Sequence, residues 1–200
     1  MNRDEVATLR ALLAPTGWPE RARLFARALR TSTRSRGGLL LVGTPEEEPW
    51  HLAAHLEDES RLSGIAELAP TLVRWNAPLN APPHLRIGLE RLEAARRGET
   101  LFVVTPETAP SPLLERVGDA RRVGATILTL NQGDRELNGL AHETLTVETV
   151  NVPPGTASPV SFTVAQHLVS AAAGERVPHP RRGVRQRLAH LLDVVSGPSA

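Results

Sequence analysis

The stretch that most constrains the fold is residues 98–130, which reads as strand, loop, helix and strand. Its first apolar run, residues 101–104, has no polar alternation, as is typical of a strand buried on both faces. Three prolines in residues 105–112 exclude a strand or helix interior there. Apolar residues then recur at helical spacing up to Gly124, and residues 126–130 form a second apolar run. Two strands joined by a helix in this way predict a right-handed βαβ unit in a parallel sheet.

The same reading of the whole chain predicts an α/β protein, a three-layer αβα sandwich around a five-stranded, mostly parallel sheet. The predicted strands are residues 39–42, 71–75, 101–104, 126–130 and 143–150. The predicted helices are residues 4–13, 20–30, about 49–62 with Pro49 as first residue, 85–97, 113–123, a turn at 137–141, 160–173 and 182–195. We therefore expect an N-terminal helical segment (1–38), an α/β domain (39–174) and a C-terminal amphipathic helix and tail (175–200).

Composition narrows the function classes. The chain has no cysteine and no lysine, which excludes disulfides, thiol catalysis, Schiff-base chemistry and a phosphate-loop lysine. A net charge of +1, 3% aromatic residues and no tyrosine disfavour a nucleic-acid partner. The apolar runs are too short to cross a bilayer and no signal-peptide pattern begins the chain, so we expect a cytoplasmic protein without membrane contact.

Three segments resemble the sugar isomerase (SIS) domain family, in particular its phosphoheptose isomerase branch. Residues 96–130, RRGETLFVVTPETAPSPLLERVGDARRVGATILTL, are similar to the family's acidic turn, apolar strand, Ser/Thr-rich loop, helix and following strand. GLAHETLTVETVNVPP resembles a later strand, and LLLVGTPEEEPWHLAAHL resembles the first strand, its turn and a helix that carries a histidine. The resemblance covers residues 4–174 and implies the SIS fold and a sugar-phosphate ligand.

The resemblance implies that two loops at the strand ends hold the substrate phosphate through hydroxyl and backbone N–H groups. The ligand-binding residues it implies are Gly43, Thr44, Thr105, Glu107, Thr108, Ser111 and, at a further strand end where a plain turn is the alternative, Asn131. Prolines remove N–H donors from both loops. Glu46 and Glu107 add negative charge, and a like charge at ~4 Å costs about 1 kcal/mol in water and more in a desolvated site. Tight phosphate binding is thus disfavoured unless these side chains point outward or a cation offsets them.

Three histidines carry the candidate chemistry. His51 and His55 are four residues apart on one predicted helix and so share a face. By resemblance, His51 falls where the family has a metal-ligand histidine, His55 where it has a metal-ligand glutamate, and His167 where it has a C-terminal histidine. The three would hold zinc with one position open, or His167, with His51, would be catalytic, His167 acting as general base in proton transfer between C1 and C2 of a sugar. The other interpretation is histidines that hydrogen-bond within a helix interface or face solvent.

The acid run, two tryptophans and the C-terminal helix are interpreted as structural features. The acid run Glu46, Glu47 and Glu48 stands where a helix dipole favours negative charge and is interpreted as a solvated helix start. Trp50 and Trp75 are interpreted as core or interface residues. The arginine-rich C-terminal helix has one apolar stripe, which favours subunit packing, with an acidic partner as the alternative.

Three functions follow from these observations. The first is an SIS-type protein that binds a sugar phosphate or related carbohydrate derivative with degenerate or no catalysis. The second is a metal-dependent aldose–ketose isomerase of sugar phosphates, and the third is a protein-interaction adaptor. Since members of the family share sites between subunits, a homodimer or homotetramer is expected.

Overall fold

The computed structural model describes residues 3–76, 80, 82, 85–147 and 160–175, with side chains from residue 7 onward. Its helices are α1 (Arg3–Leu13), α2 (Trp18–Ser32), α3 (Trp50–Ser63), α4 (Glu90–Glu93), α5 (Ser111–Arg122), α6 (Arg135–Leu140) and α7 (Phe162–Ala173). Its strands are β1 (Leu39–Val42), β2 (Pro70–Val73), β3 (Thr100–Thr105), β4 (Thr126–Asn131) and β5 (Glu143–Thr146). Two short 3-10 turns, Ala14–Thr16 and Ala66–Leu68, link α1 to α2 and α3 to β2.

The five strands form one sheet in the order β2-β1-β3-β4-β5, and every neighbouring pair is parallel. The predicted five-stranded parallel sheet is confirmed, with β5 at the edge as expected of an outer strand. Because all strands run the same way, the loops after β1, β3 and β4 emerge at one edge, where open α/β sheets bind ligands.

Alternate strand residues face two separate cores, which explains why the strands show no polar alternation. Leu41, Phe102 and Leu128 point into a core shared with α2, α3 and α7. Leu101 and Ile127 point to the other side, into a core shared with α4, α5 and α6. Phe102 is fully buried, and its ring centroid lies 5.3 Å from that of Phe25 on α2. Burying each such side chain contributes about 1.5–3 kcal/mol, so both sheet faces hold the sandwich together.

One predicted helix is largely wrong. Residues 85–97 were expected to be helical, but only the four residues of α4 are. The backbone of Ile87 accepts a hydrogen bond from Arg74 N–H at 2.8 Å, and Gly88 forms a parallel bridge with Arg74. Pairing with the end of β2 holds this segment extended, and the Glu90 side chain then accepts the Gly88 N–H at 3.1 Å. Tertiary strand pairing therefore overrides the helical periodicity, although Leu92 is buried as predicted.

Smaller differences concern element ends. Pro49 is the N-cap of α3, with φ −81° and ψ 54°, rather than the first helical residue. Strand β2 ends at Val73 instead of residue 75, because Arg74 forms only the isolated bridge with Gly88. The predicted helix 182–195 and the last residues of the predicted strand 143–150 lie outside the described residues.

The carboxyl end of α7 is fixed by arginines from the N-terminal helices. Arg30 of α2 donates to the carbonyls of Ala172 and Ala173, as a cation at a helix C-terminus does. Arg10 and Arg23 form salt bridges with Glu175, just beyond the helix. These contacts fix where α7 lies against α2. In the described ranges, no helix combines the length and apolar character needed to cross a membrane.

Candidate metal centre and strand-end loops

Helices α3 and α7 pack side by side on the same face of the sheet and bring the candidate histidines together. Leu52 and Leu56 of α3 are fully buried in the core that also contains Leu168 and Val169 of α7. His51, immediately before Leu52, lies in the first turn of α3, which begins at the carboxyl edge of the sheet. The packing of apolar neighbours therefore directs the histidines of both helices to a shared boundary.

The three imidazoles form a compact cluster with His51 at its centre. His51 Nε2 lies 3.1 Å from His55 Nε2 and 3.1 Å from His167 Nε2. The ring centroids are 4.5 to 4.8 Å apart. His51 is exposed, whereas His55 and His167 are half-buried, so the cluster opens to solvent on the His51 side. One potential ligand atom from each of the three histidines lies within 4.8 Å of the other two. The described residues thus contain a cluster whose ligand atoms converge as a metal site requires.

Burial and the proximity of neighbouring rings favour the neutral forms of His55 and His167. Burial, then the neighbouring His55 and His51, lowers the pKa of His167 to about 4. Burial, followed by the proximity of His51, also lowers the pKa of His55. Both rings are therefore uncharged near pH 7, with nitrogen lone pairs available for a metal.

The geometry fits a tetrahedral transition metal. Zinc–imidazole bonds of about 2.0–2.1 Å place two ligand nitrogens about 3.3 Å apart at a tetrahedral angle. The two His51 distances of 3.1 Å are close to this value, and the ligand atoms of all three histidines lie within 4.8 Å of one another. Three protein ligands and an exposed side are typical of a site that keeps one coordination position open.

The first strand-end loop, residues 43–49, is folded upon itself. Thr44 is buried, its N–H donates to the carbonyl of Glu47 at 3.1 Å, and its hydroxyl accepts the Glu47 N–H at 3.1 Å. A Cβ on Gly43 would lie 2.1 Å from the Glu47 carbonyl oxygen and 2.8 Å from Pro49 Cδ. Glycine at position 43 therefore allows the close approach of the loop to itself. The N–H and hydroxyl of Thr44 both form hydrogen bonds that stabilise the turn.

Glu48 ties this loop to the end of β2, a role that sequence reasoning missed. Its carboxylate accepts hydrogen bonds from Arg74 Nε, the Trp75 N–H and Trp50 Nε1, each at 3.0 Å. Trp75 Nε1 donates to the Gly43 carbonyl at 2.9 Å, and the Arg74 guanidinium lies 4.5 Å from the centroid of the Trp50 ring. We call these contacts the Glu48 clamp. No local pattern distinguishes Glu48 from exposed Glu46 and Glu47, because two of its partners, Arg74 and Trp75, follow β2 and lie 26 and 27 residues away in sequence.

The second loop, residues 106–110, also satisfies its own polar groups. The Thr105 hydroxyl, fully buried, donates to the Glu107 carbonyl at 2.7 Å and accepts the Glu107 N–H at 3.2 Å. The Ala109 N–H donates to the Asp134 carboxylate at 2.7 Å, and the other oxygen of that carboxylate caps α6 at Leu137 N–H. A carboxylate of the chain itself thus takes an N–H that an anionic ligand would use.

The remaining predicted ligand residues divide into exposed and structural ones. Glu107, Thr108 and Ser111 are exposed, so the Glu107 carboxylate has solvent access. Asn131 is fully buried: its amide donates to Thr129 Oγ1 and Asn138 Oδ1. Its side-chain oxygen accepts the N–H groups of Gly133 and Asp134, which precede α6. Trp50 is 41% exposed, so of its two predicted roles the core one is wrong and the interface one stays a prediction.

No protein-family profile matches the chain, and no curated protein matches it. Among solved structures, it is similar to the Vibrio vulnificus NanR protein complexed with ManNAc-6P, at 12% identity and a TM-score of 0.48, over 94% of this chain and 69% of that one. It is also similar to a Salmonella typhimurium LT2 protein provisionally described as sugar binding, at 16% identity and a TM-score of 0.41, over 88% of this chain and 54% of that one. The chain spans about half the length of that second protein.

Proposed function

We propose that this protein binds a carbohydrate derivative at the carboxyl edge of its sheet, beside a transition metal held by His51, His55 and His167. The observation that carries the proposal is the convergence of three imidazoles, from two helices, beside the edge where parallel sheets bind ligands. The resemblance to sugar isomerase domains supports the carbohydrate class.

The donor set selects the kind of metal. Imidazole nitrogens favour zinc, copper, nickel and iron, whereas magnesium and calcium prefer oxygen ligands. The cluster contributes three nitrogens and no carboxylate, so zinc is the metal we expect. A bound zinc would supply a Lewis-acidic position for sugar oxygens next to the exposed face of His51.

The loops bear on whether the ligand is phosphorylated. The hydroxyls of Thr44 and Thr105 are engaged within their own turns, and Asp134 holds the N–H of Ala109. The exposed hydroxyls of Thr108 and Ser111 remain as phosphate donors. Recognition would then depend mainly on sugar oxygens at the metal, with a phosphate contributing through these two side chains.

A second candidate is aldose–ketose isomerisation. It is favoured by His167, whose lowered pKa keeps it uncharged and able to accept a proton near pH 7. The same ring nitrogen cannot bind a metal and act as a base at once, so the two roles of His167 exclude each other. Isomerase activity that persists in the presence of a chelator and is lost in His167→Asn would favour this second function.

Zinc content and ligand-induced thermal shifts test the proposal. Purified protein reconstituted with zinc is expected to hold about one equivalent per chain. A sugar ligand present at 100 times its Kd would stabilise the protein by about 2.7 kcal/mol. We expect shifts with aldose phosphates and with their unphosphorylated parents, both lost after chelation. No shift with any sugar at millimolar concentration, with zinc bound, would refute carbohydrate binding.

A further inference from the structure

The Glu48 clamp lies directly beside the candidate metal centre, at the first turn of α3. His51 is central to the histidine cluster, yet it is the most exposed of the three. Within the described part of the chain, the hydrogen bonds of the His51 ring join its Nε2 to the other two histidines. Metal-ligating histidines are normally oriented by a hydrogen bond to the second ring nitrogen. Here the orientation of His51 depends instead on the backbone that carries it.

That backbone is fixed by the Glu48 clamp. Trp50 is the first residue of α3 and precedes His51 directly. Its indole N–H donates to Glu48, its backbone N–H donates to the Glu48 carbonyl at 2.8 Å, and Arg74 stacks on its ring. The carboxylate of Glu48 is only 12% exposed and Arg74 15%, so the pair is shielded from the screening that weakens surface ion pairs.

We propose that Glu48 is a positioning residue for the metal centre: through Trp50 and Arg74 it fixes the first turn of α3 and thereby the place of the His51 ring. This inference rests on the proposed function for its metal readout. It assigns Glu48 a part in the site that the neighbouring acids, Glu46 and Glu47, do not share.

Replacing the carboxylate by an amide breaks the clamp for a definite reason. Three donors converge on Glu48: Arg74 Nε and Trp50 Nε1 on one oxygen, and the Trp75 N–H on the other. A glutamine offers one acceptor oxygen and an amide that is itself a donor. Whichever way the amide turns, at least one donor loses its acceptor and faces another donor.

The experiment compares Glu48→Gln with the matched control Glu47→Gln, which removes the same charge from the same loop at an exposed side chain. A third variant, Trp50→Phe, removes one clamp hydrogen bond without any change of charge. Zinc affinity is measured by competition with a chromophoric chelator, and the ligand geometry by the visible absorption of the cobalt(II)-substituted protein. Amide hydrogen exchange of the metal-free protein is followed at Ala53, whose N–H donates to Pro49.

We expect Glu48→Gln to weaken zinc binding about 10- to 100-fold and Trp50→Phe about 10-fold, the range for groups that orient metal ligands. Glu47→Gln should stay within about twofold of wild type, because an exposed charge is screened. The cobalt absorption should change in the first two variants only, and their Ala53 amides should exchange faster. Equal affinities for Glu48→Gln and Glu47→Gln, or an unchanged Trp50→Phe, would overturn the inference.

The outcomes separate the two proposals. A wild-type protein that binds no zinc would refute the metal centre. Amide exchange at Ala53 would then test by itself whether the Glu48 clamp fixes the first turn of α3. Faster exchange in Glu48→Gln but not in Glu47→Gln would support this role, and equal rates would overturn it.

Discussion

The histidine cluster and the two strand-end loops lie in the same part of the fold, but their polar groups are used in opposite ways. Nε2 of His51 lies within hydrogen-bond distance of Nε2 of His55 and of Nε2 of His167. The Thr44 hydroxyl accepts the Glu47 N–H, and the Thr105 hydroxyl both donates to and accepts from the backbone of Glu107. The comparison indicates that a polar residue at a sheet edge is available to a ligand only when the turn around it does not already need it.

The largest expected effect is loss of the central histidine. Structural zinc sites bind with about 10–16 kcal/mol, so one of four ligands accounts for about 2.5–4 kcal/mol, or about 60- to 700-fold in affinity. We therefore predict that His51→Ala weakens zinc binding by at least about 60-fold in chelator competition. His142→Asn is the matched control, since His142 accepts the Ile127 N–H outside the cluster and asparagine retains an acceptor. Equal zinc affinities of His51→Ala and His142→Asn would show that the histidine cluster does not bind the zinc.

The next effect tests whether the first loop is structural. Gly43→Ala would place a methyl group 2.1 Å from the Glu47 carbonyl, so we predict a loss of about 1–3 kcal/mol in the free energy of unfolding. Gly118→Ala, inside α5 with nothing within 4 Å of the added carbon, should instead stabilise the protein by about 0.5–1 kcal/mol. Urea unfolding of both variants measures the contrast. A neutral Gly43→Ala would mean that the loop relaxes freely.

A smaller effect is expected at the second loop. Thr105→Val leaves the partly buried Glu107 N–H without its acceptor, which costs about 1–2 kcal/mol of stability. Thr108→Val, at an exposed side chain, should change the free energy of unfolding by less than about 0.5 kcal/mol. Zinc affinity should be the same in both variants. If Thr105→Val kept its stability but lost sugar binding, its hydroxyl would be a ligand group after all.

The smallest effect is the response of the metal-free protein to pH. Because the pKa of His167 is lowered in the folded state to about 4, the unfolded chain binds more protons between about pH 6.5 and 4. Stability is therefore fully present above pH 6.5 and decreases as the pH falls through this window. Urea unfolding at pH 7.5 and 5 in the presence of a chelator should show the decrease, and His167→Asn should reduce it. An identical pH dependence in the variant would show that His167 is not the group responsible.

The fold was predictable because its signals are local and strong. Strand β1 was predicted with its observed bounds, and the segment from β3 through α5 to β4 within two residues, since fully buried strands read as uninterrupted apolar runs. The segment 85–97 failed because helical spacing of leucines competes there with a strand end that lies far away in sequence. Hydrophobic periodicity predicts which residues of a helix or strand face the core. It does not predict whether the segment pairs with a strand that is distant in sequence instead of forming a helix.

At the candidate site, the sequence already predicted that His51 and His55 share one helical face, because four residues make about one helical turn. It also determined a parallel sheet with loops at a common edge. Only the tertiary structure brought His167, 116 residues away, to 3.1 Å from His51, and singled out Glu48 from its two neighbours. The physical reason is that hydrogen bonds and metal ligation depend on distance through space, which the packing of α3 against α7 and of the first loop against β2 decides.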